Sequence, residues 1–319
     1  MPVNLDKPHR WKQDTAQSVD LYNSWYLEFA PRVYREKRIE TTRQVEEALS
    51  LTANLTSIAP RVLEQYPAIL PMLRMSTAPP LARDRLIGLS GVSPRLVSSM
   101  EEEQRIPPRM GRTAVERDLS RIGSTILKLV DPDIFPWLSG ARAASEAEVY
   151  RASTIVADRL CGTLSNPIIR NAQERRQLAL IGRWLDERGY TRAPFGARFQ
   201  FMAPGTYAFH QNVLGSREDG SEGNITIDAV IMLKTSRPGD LPLLIEAKSA
   251  GDYTNTNKRR KEEATKVAQL RRKHGEEVRF ILFLCGYFDA PYLGYEAAEG
   301  IDWVWEHRID DLAEFGVQA

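Results

Sequence analysis

Asp228, Glu246 and Lys248 are the residues whose types and spacing could do chemistry together. Glu246 and Lys248 close the apolar run Leu243-Leu244-Ile245, and Asp228 interrupts another, Ile225-Thr226-Ile227-Asp228-Ala229-Val230-Ile231, eighteen residues before Glu246. Of the ten lysines only Lys248 has an acidic residue two positions ahead. With 42 acidic residues in 319, roughly one such tripeptide arises by chance, so its weight comes from its setting. In a strand, positions i and i+2 share a face, so Glu246 and Lys248 point one way and Ala247 the other. If the two runs are antiparallel neighbours joined by the loop 234–242, Asp228 comes beside Glu246. Ionised groups in so apolar a setting are costly unless a metal, a phosphate or one another compensates them. Two carboxylates and a lysine at a strand end suit hydrolysis of a phosphodiester. Their hard oxygen ligands suit magnesium, which also takes phosphate oxygens and, when bound, polarises the phosphoryl group, acidifies a water and steadies the leaving oxygen. Asp228 and Glu246 are then the metal ligands. Lys248 holds or helps deprotonate the attacking water and neutralises developing charge. The competing reading is a buried ion pair between Lys248 and Asp228 or Glu246.

These residues need strands to carry them, and the second half of the chain supplies strand-like runs at 199–213, 225–233, 243–248 and 278–284, with a short one at 303–308. The polar, glycine-containing stretch 216–224 reads as a hairpin loop between the first two. Val278 to Leu284 is apolar throughout, as a strand buried on both faces requires. A helix at 166–189 precedes them, with Asn166 as its N-cap, Pro167 at its first position and Gly189 as its stop. A basic helix, roughly 257–274, separates the third strand from the fourth. The order predicts an α/β (α+β) fold, a mixed sheet flanked by helices. The first half reads as an all-helical domain, so the division is 1–150 and 151–319. Asp14 to Tyr34 has one apolar face and is expected to break at Pro31, a second helix opens near Thr41, and a third, 58–73, is interrupted by Pro67 and Pro71.

Lys+Arg 43 against Asp+Glu 42 gives a net charge of only +1, which by itself does not speak to a nucleic-acid partner. The distribution does. Between Lys258 and Lys273 eight basic residues stand against two acidic ones, a local net of +6, and positive charge gathered in one segment of a neutral chain suits a polyanion. The alternative is a solvated helix face. Asn255, Asn257, Lys258, Arg259, Arg260 and Lys261 follow the catalytic strand closely, and these types can contact phosphates or make bidentate bonds to adenine and guanine edges. The stretch 81–101 has the helix, glycine turn, helix outline of a helix-turn-helix, with Arg95 as a candidate base reader and Ile87 where a small residue is usual; plain helical packing is the competing reading.

With 42% hydrophobic and 27% charged residues and a mean hydropathy of -0.38, the composition is that of an ordinary soluble globular protein. It excludes disordered and collagenous classes. Cys161 and Cys285 sit in apolar settings and read as buried free thiols of a cytoplasmic protein. The opening MPVNLDKPHRWKQD reads as no signal peptide, and the longest apolar stretch, 280–288, is too short to span a bilayer. The four histidines, His9, His210, His274 and His307, show no metal-ligand spacing. No Walker loop or dinucleotide fingerprint appears, which argues against an ATP-driven or NAD enzyme.

Asp228 followed by Glu246-Ala247-Lys248, after a long helix and a hairpin, resembles the PD-(D/E)XK nuclease core, with Ile227 where the motif has proline. The opening MPVNLDKPHRWKQDTAQSVDLYNSWYLEFAP and the run IEAKSAGDYTNTNKRRKEEATKVAQLRRKHG resemble the XamI-type restriction endonucleases over nearly the whole chain. The resemblance implies a magnesium-dependent type II endonuclease that cuts a short palindrome in duplex DNA, GTCGAC-type in this family. It further implies a homodimer and a cognate DNA methyltransferase as functional partner. In related folds a glutamate of the helix before the first strand can approach the metal, a role open to Glu174, although a solvent-facing position is the first reading of that residue. A repair or structure-specific nuclease on the same core, or a DNA-binding regulator that does not cleave, would share most of these features. Intact Asp228, Glu246 and Lys248 speak against the last.

Overall fold

Proline at position 31 does not end the first helix. In the computed structural model, which describes residues 2–140, 142–194, 201–237, 239–254 and 256–318 with the side chains of 256–260 left out, α1 runs through it from Pro8–Leu51. Shorter helices follow: α2 Pro60–Gln65, a 3-10 turn at Pro67–Ile69, α3 Leu70–Met75, α4 Arg83–Ser90, α5 Pro94–Glu102, α6 Arg112–Leu129 and α7 Pro136–Ser139. Pro67 and the Leu70-Pro71 step divide the third helix as the sequence suggests. Between α4 and α5, Gly91 adopts φ +59°, the left-handed conformation that glycine takes without steric cost.

The helix expected at 166–189 is the second half of a much longer one. α8 spans Glu146–Asp186 with Pro167 inside it. Its start is set by Ser145 and Glu148, which form a capping box: the Glu148 carboxylate accepts from the Ser145 amide at 2.9 Å, and the Ser145 hydroxyl accepts from the Glu148 amide at 3.4 Å. An interior proline costs about 3 kcal/mol. The helix nevertheless continues through it, with Ala152, Val156, Ala157 and Leu160 buried before the proline and Leu178, Ile181 and Leu185 after it. Gly189 does lie beyond its end, at φ +74°.

The chain divides into two compact units, residues 30–169 and residues 1–29 with 170–319. The first is helical. Its core gathers Leu49, Leu63, Met72, Leu96, Leu119 and Trp137.

The second is built on one mixed sheet of β1 Thr191–Arg192, β2 Thr206–Ser216, β3 Glu222–Met232, β4 Leu243–Ala250, β5 Arg279–Gly286 and β6 Asp302–Trp305, in spatial order β1-β2-β3-β4-β5-β6. β2, β3 and β4 are antiparallel neighbours, whereas β4, β5 and β6 run parallel. The first strand expected from sequence begins later, at Thr206; residues 199 and 200 lie outside the described residues. α9 Thr256–His274 makes the crossover from β4 to β5, and α10 Ala290–Ala298 that from β5 to β6, before a 3-10 stretch Glu306–Phe315. Leu243, Ile245, Ile281 and Phe283 pack with Leu178, Ile181 and Leu185 of α8 on one face. Leu244, Leu282 and Leu284 pack with Val267 and Leu270 of α9 on the other. β5 is therefore buried on both faces, as its unbroken apolar run requires. Cys161 and Cys285 are both buried and unbridged, and among the described residues no helix is long and apolar enough to cross a membrane.

Candidate active site

The site forms where the sheet splays. β3 and β4 pair through Ala229↔Ile245, Val230↔Leu244 and Ile231↔Leu243, and pairing stops there, so Asp228 and Glu246 are the next opposed positions. On the other side β2 and β3 pair at Phe209↔Ala229 and again at Gln211↔Ile227, leaving His210 and Asp228 opposed without a ladder pair. His210 has φ +53°. The strands turn over at this point. Ala208 and Val230 share the α9 face of the core with Val213 and Ile227, so the alternation of side chains shifts by one across His210 and Asp228.

Asp228 repairs part of the break itself. Its Oδ2 accepts a hydrogen bond from the Ala247 amide at 2.8 Å, which satisfies a β4 donor beyond the last ladder pair. Burial and the negative charge of Glu246 push this carboxyl up to about 6, against the opposing pull of the Ala247 amide and Lys248.

Glu246 and Lys248 lie on the α9 face, as the i, i+2 spacing predicts, while Ala247 packs on the α8 side. Lys248 Nζ stands 3.1 Å from Glu246 Oε1 and 3.0 Å from Glu263 Oε1. Lys266 also donates to Glu246 Oε1. Burial alone would push the Lys248 ammonium down, but Glu246 and Glu263 more than reverse it and hold it above the ordinary lysine range. Burial pushes the Glu263 carboxyl up, Lys248 opposing. The other oxygen of Glu246, Oε2, is buried and has no hydrogen-bond partner among the described residues. An ionised oxygen left so is costly, which makes it a natural donor to a cation.

Glu174 of α8 comes to the same place. Ligand atoms of Glu174, His210 and Asp228 all lie within 4.8 Å of one another, with Glu174 and His210 exposed and Asp228 half-buried. The helix position of Glu174 is thus both solvent-facing and close to Asp228. Spacing does not single out His210, yet a hairpin centred near residue 219 pairs position 210 with 228, so strand register is the signal the sequence holds. Glu263 had one too. It lies on the stripe Glu263, Val267, Leu270, and a lone acid on a buried helical stripe needs a charged partner. From sequence Lys266 reads only as part of the basic segment.

The charge of that segment is less available than its sequence suggests. Lys266 pairs with Glu246, Arg271 with Glu276, Arg272 with Glu218 and Lys273 with Glu222. Lys261 is exposed near the start of α9, whereas Asn255 and the side chains of Asn257, Lys258, Arg259 and Arg260 lie outside the described residues. Arg95 is exposed on α5, in the helical unit.

Two carboxylates and a lysine thus stand together at the splayed end of a mixed sheet, groups that hydrolytic chemistry can use. The pattern that defines the XamI restriction endonuclease family matches residues 53–305, and the chain belongs to that family. It is a restriction endonuclease, a hydrolase that cuts DNA site-specifically. The chain is also 53% identical over 316 residues to the type II restriction enzyme SalI of Streptomyces albus G, covering 98% of this chain and 99% of that one. No solved structure matches the chain.

Proposed function

We propose that the enzyme is a type II endonuclease on a PD-(D/E)XK core, hydrolysing duplex DNA at a short palindrome of the GTCGAC type with magnesium as cofactor. The observation that carries this reading is the opposition of Asp228 and Glu246 at the end of paired β3 and β4, with Glu246 Oε2 buried and unpartnered among the described residues. Asp228 and Glu246 would hold the cation, and the hardness of these donors suits magnesium. When bound, the ion supplies charge to the phosphoryl group and the leaving oxygen. Lys248, held protonated by Glu246 and Glu263, serves as a fixed positive charge and hydrogen-bond donor at the strand end rather than as a proton acceptor. Asp228, pushed up to about 6, is ionised at neutral pH and must lose its proton before it can ligate.

DNA contact is assigned to the start of α9, Asn255 to Lys261, and to Arg95 in the helical part, residues 1–150, with its helix-turn-helix outline at 81–101. Basic side chains in the first turn of a helix oppose the positive end of its dipole, and a phosphate relieves this. A palindrome cut on both strands calls for two related active sites, hence a homodimer. A methyltransferase marking the same sequence is the functional partner, and the cytoplasm is where both would meet DNA. Incubation with plasmid DNA and magnesium, followed by end mapping, tests the reading. Discrete fragments with ends in a GTCGAC-type site are expected; smearing, branch-specific cuts or binding without cleavage would overturn it.

A further inference from the structure

Three side chains at the splayed end of the sheet do not follow from two carboxylates and a lysine. Glu174, His210 and Asp228 come from α8, β2 and β3, and each offers a ligand atom within 4.8 Å of the others. His210 Nδ1 and Glu174 Oε1 are 3.9 Å apart, too far for a hydrogen bond. Donors about 2.1 Å from an octahedral centre stand about 3.0 Å apart when adjacent and about 4.2 Å when opposite, so this separation is within the reach of two ligands of one ion. The imidazole is half exposed, so solvent and a ligand can reach it. Its backbone conformation, φ +53°, opposes it to Asp228 at the gap in the β2–β3 ladder. A second observation points to a cation at this place: Glu246, the residue opposed to Asp228 from the β4 side, is almost fully buried and keeps Oε2 without a partner among the described residues.

We propose that His210 is a ligand of the cation held at Asp228, supplying one imidazole nitrogen beside the oxygens of Asp228 and Glu174. This rests on the reading that the site binds a divalent cation. It adds that the site is a mixed nitrogen–oxygen one. Magnesium and calcium favour oxygen ligands, whereas imidazole suits first-row transition metals, whose affinity rises from manganese to cobalt and nickel. The site then holds Mn2+ and Co2+ more tightly than Mg2+ or Ca2+.

The test is electron paramagnetic resonance of Mn2+ added to the full-length protein, with and without duplex DNA, read as bound stoichiometry and as nitrogen modulation from a ligated imidazole. Wild type should bind Mn2+ and show the 14N modulation. His210→Asn keeps a residue type that tolerates left-handed backbone, and it should lose the modulation and bind Mn2+ at least about tenfold more weakly. Protein grown on 15N-histidine needs no substitution, so it stands if His210→Asn misfolds; the modulation should change to that of 15N. Mn2+ bound without nitrogen modulation, or bound equally by His210→Asn, overturns the role of His210 and leaves the cation site intact. Absence of Mn2+ binding from wild type, with DNA present, overturns the cation reading itself.

Discussion

The carboxylate of Asp228 accepts the amide hydrogen of Ala247 at 2.8 Å, so a side chain takes the place of a main-chain acceptor where β3 leaves β4. This bond holds the putting-together of the site in one place: it positions Asp228 against the strand that carries Glu246 and Lys248. It also sets a charge where charge is disfavoured.

Asp228→Asn keeps an oxygen able to accept from Ala247 while removing the charge. Because the folded carboxyl is pushed up to about 6, above the usual aspartate value, its ionisation costs stability. The cost is absent below the unfolded value, grows as pH rises and is complete above about 6. Without metal, Asp228→Asn should therefore be more stable than wild type at pH 8, by on the order of 1–3 kcal/mol, with the difference closing by pH 4. Thermal melts across this range check it. At every pH the variant should fail to cleave.

Cleavage by wild type should rise with pH through about 6, as Asp228 loses the proton that competes with the cation. Single-turnover rates at sub-saturating magnesium should show this limb, and rising magnesium should shift it to lower pH. A rate that is flat from pH 5 to 8 would remove Asp228 from the metal site.

Lys248→Met separates structure from chemistry. It leaves Glu263 buried without its cation, which should destabilise the protein by about 3–5 kcal/mol. Adding Glu263→Leu should recover most of that loss in a denaturant melt, because both charges are then gone. Cleavage should stay at least about 100- to 1,000-fold below wild type in the double variant, since the fixed positive charge is missing.

Glu246→Ala and Asp228→Ala should abolish cleavage while leaving DNA binding largely intact, as neither substitution alters the basic segment 255–261. Gel-shift and plasmid assays read the two properties separately. Wild-type cutting by either variant would sink the assignment.

Binding should weaken steeply with salt, because each phosphate neutralised on duplex DNA releases about 0.9 counterions. Lys261→Ala should flatten the slope by about one unit and weaken all sequences alike, whereas loss of a base-reading arginine or asparagine among Asn255 to Arg260, or of Arg95, should cost about 1–3 kcal/mol at the cognate site only. A single-residue alanine scan on cognate and scrambled duplexes distinguishes the roles.

Local periodicity by itself determined much of this protein. The i, i+2 spacing of Glu246 and Lys248 placed them on one face, the polar stretch 216–224 marked a hairpin, and the unbroken apolar run to Leu284 marked a strand covered on both sides; these follow from which faces a chain can bury. What a side chain meets across the fold is another matter. Proline at 167 reads as a helix start, yet α8 runs through it, its flanks buried at Val156 and Leu160 before the proline and at Leu178 and Ile181 after it, against residues distant in sequence. Lys266 looks like one more basic residue of a charged helix until β4 brings Glu246 against it. His210 has no neighbour in sequence that suggests a ligand, and its place beside Glu174 and Asp228 comes from strand register and from the packing of α8 on the sheet. Periodicity reports burial, which is local, whereas a site is made of distances between elements, which tertiary packing alone decides.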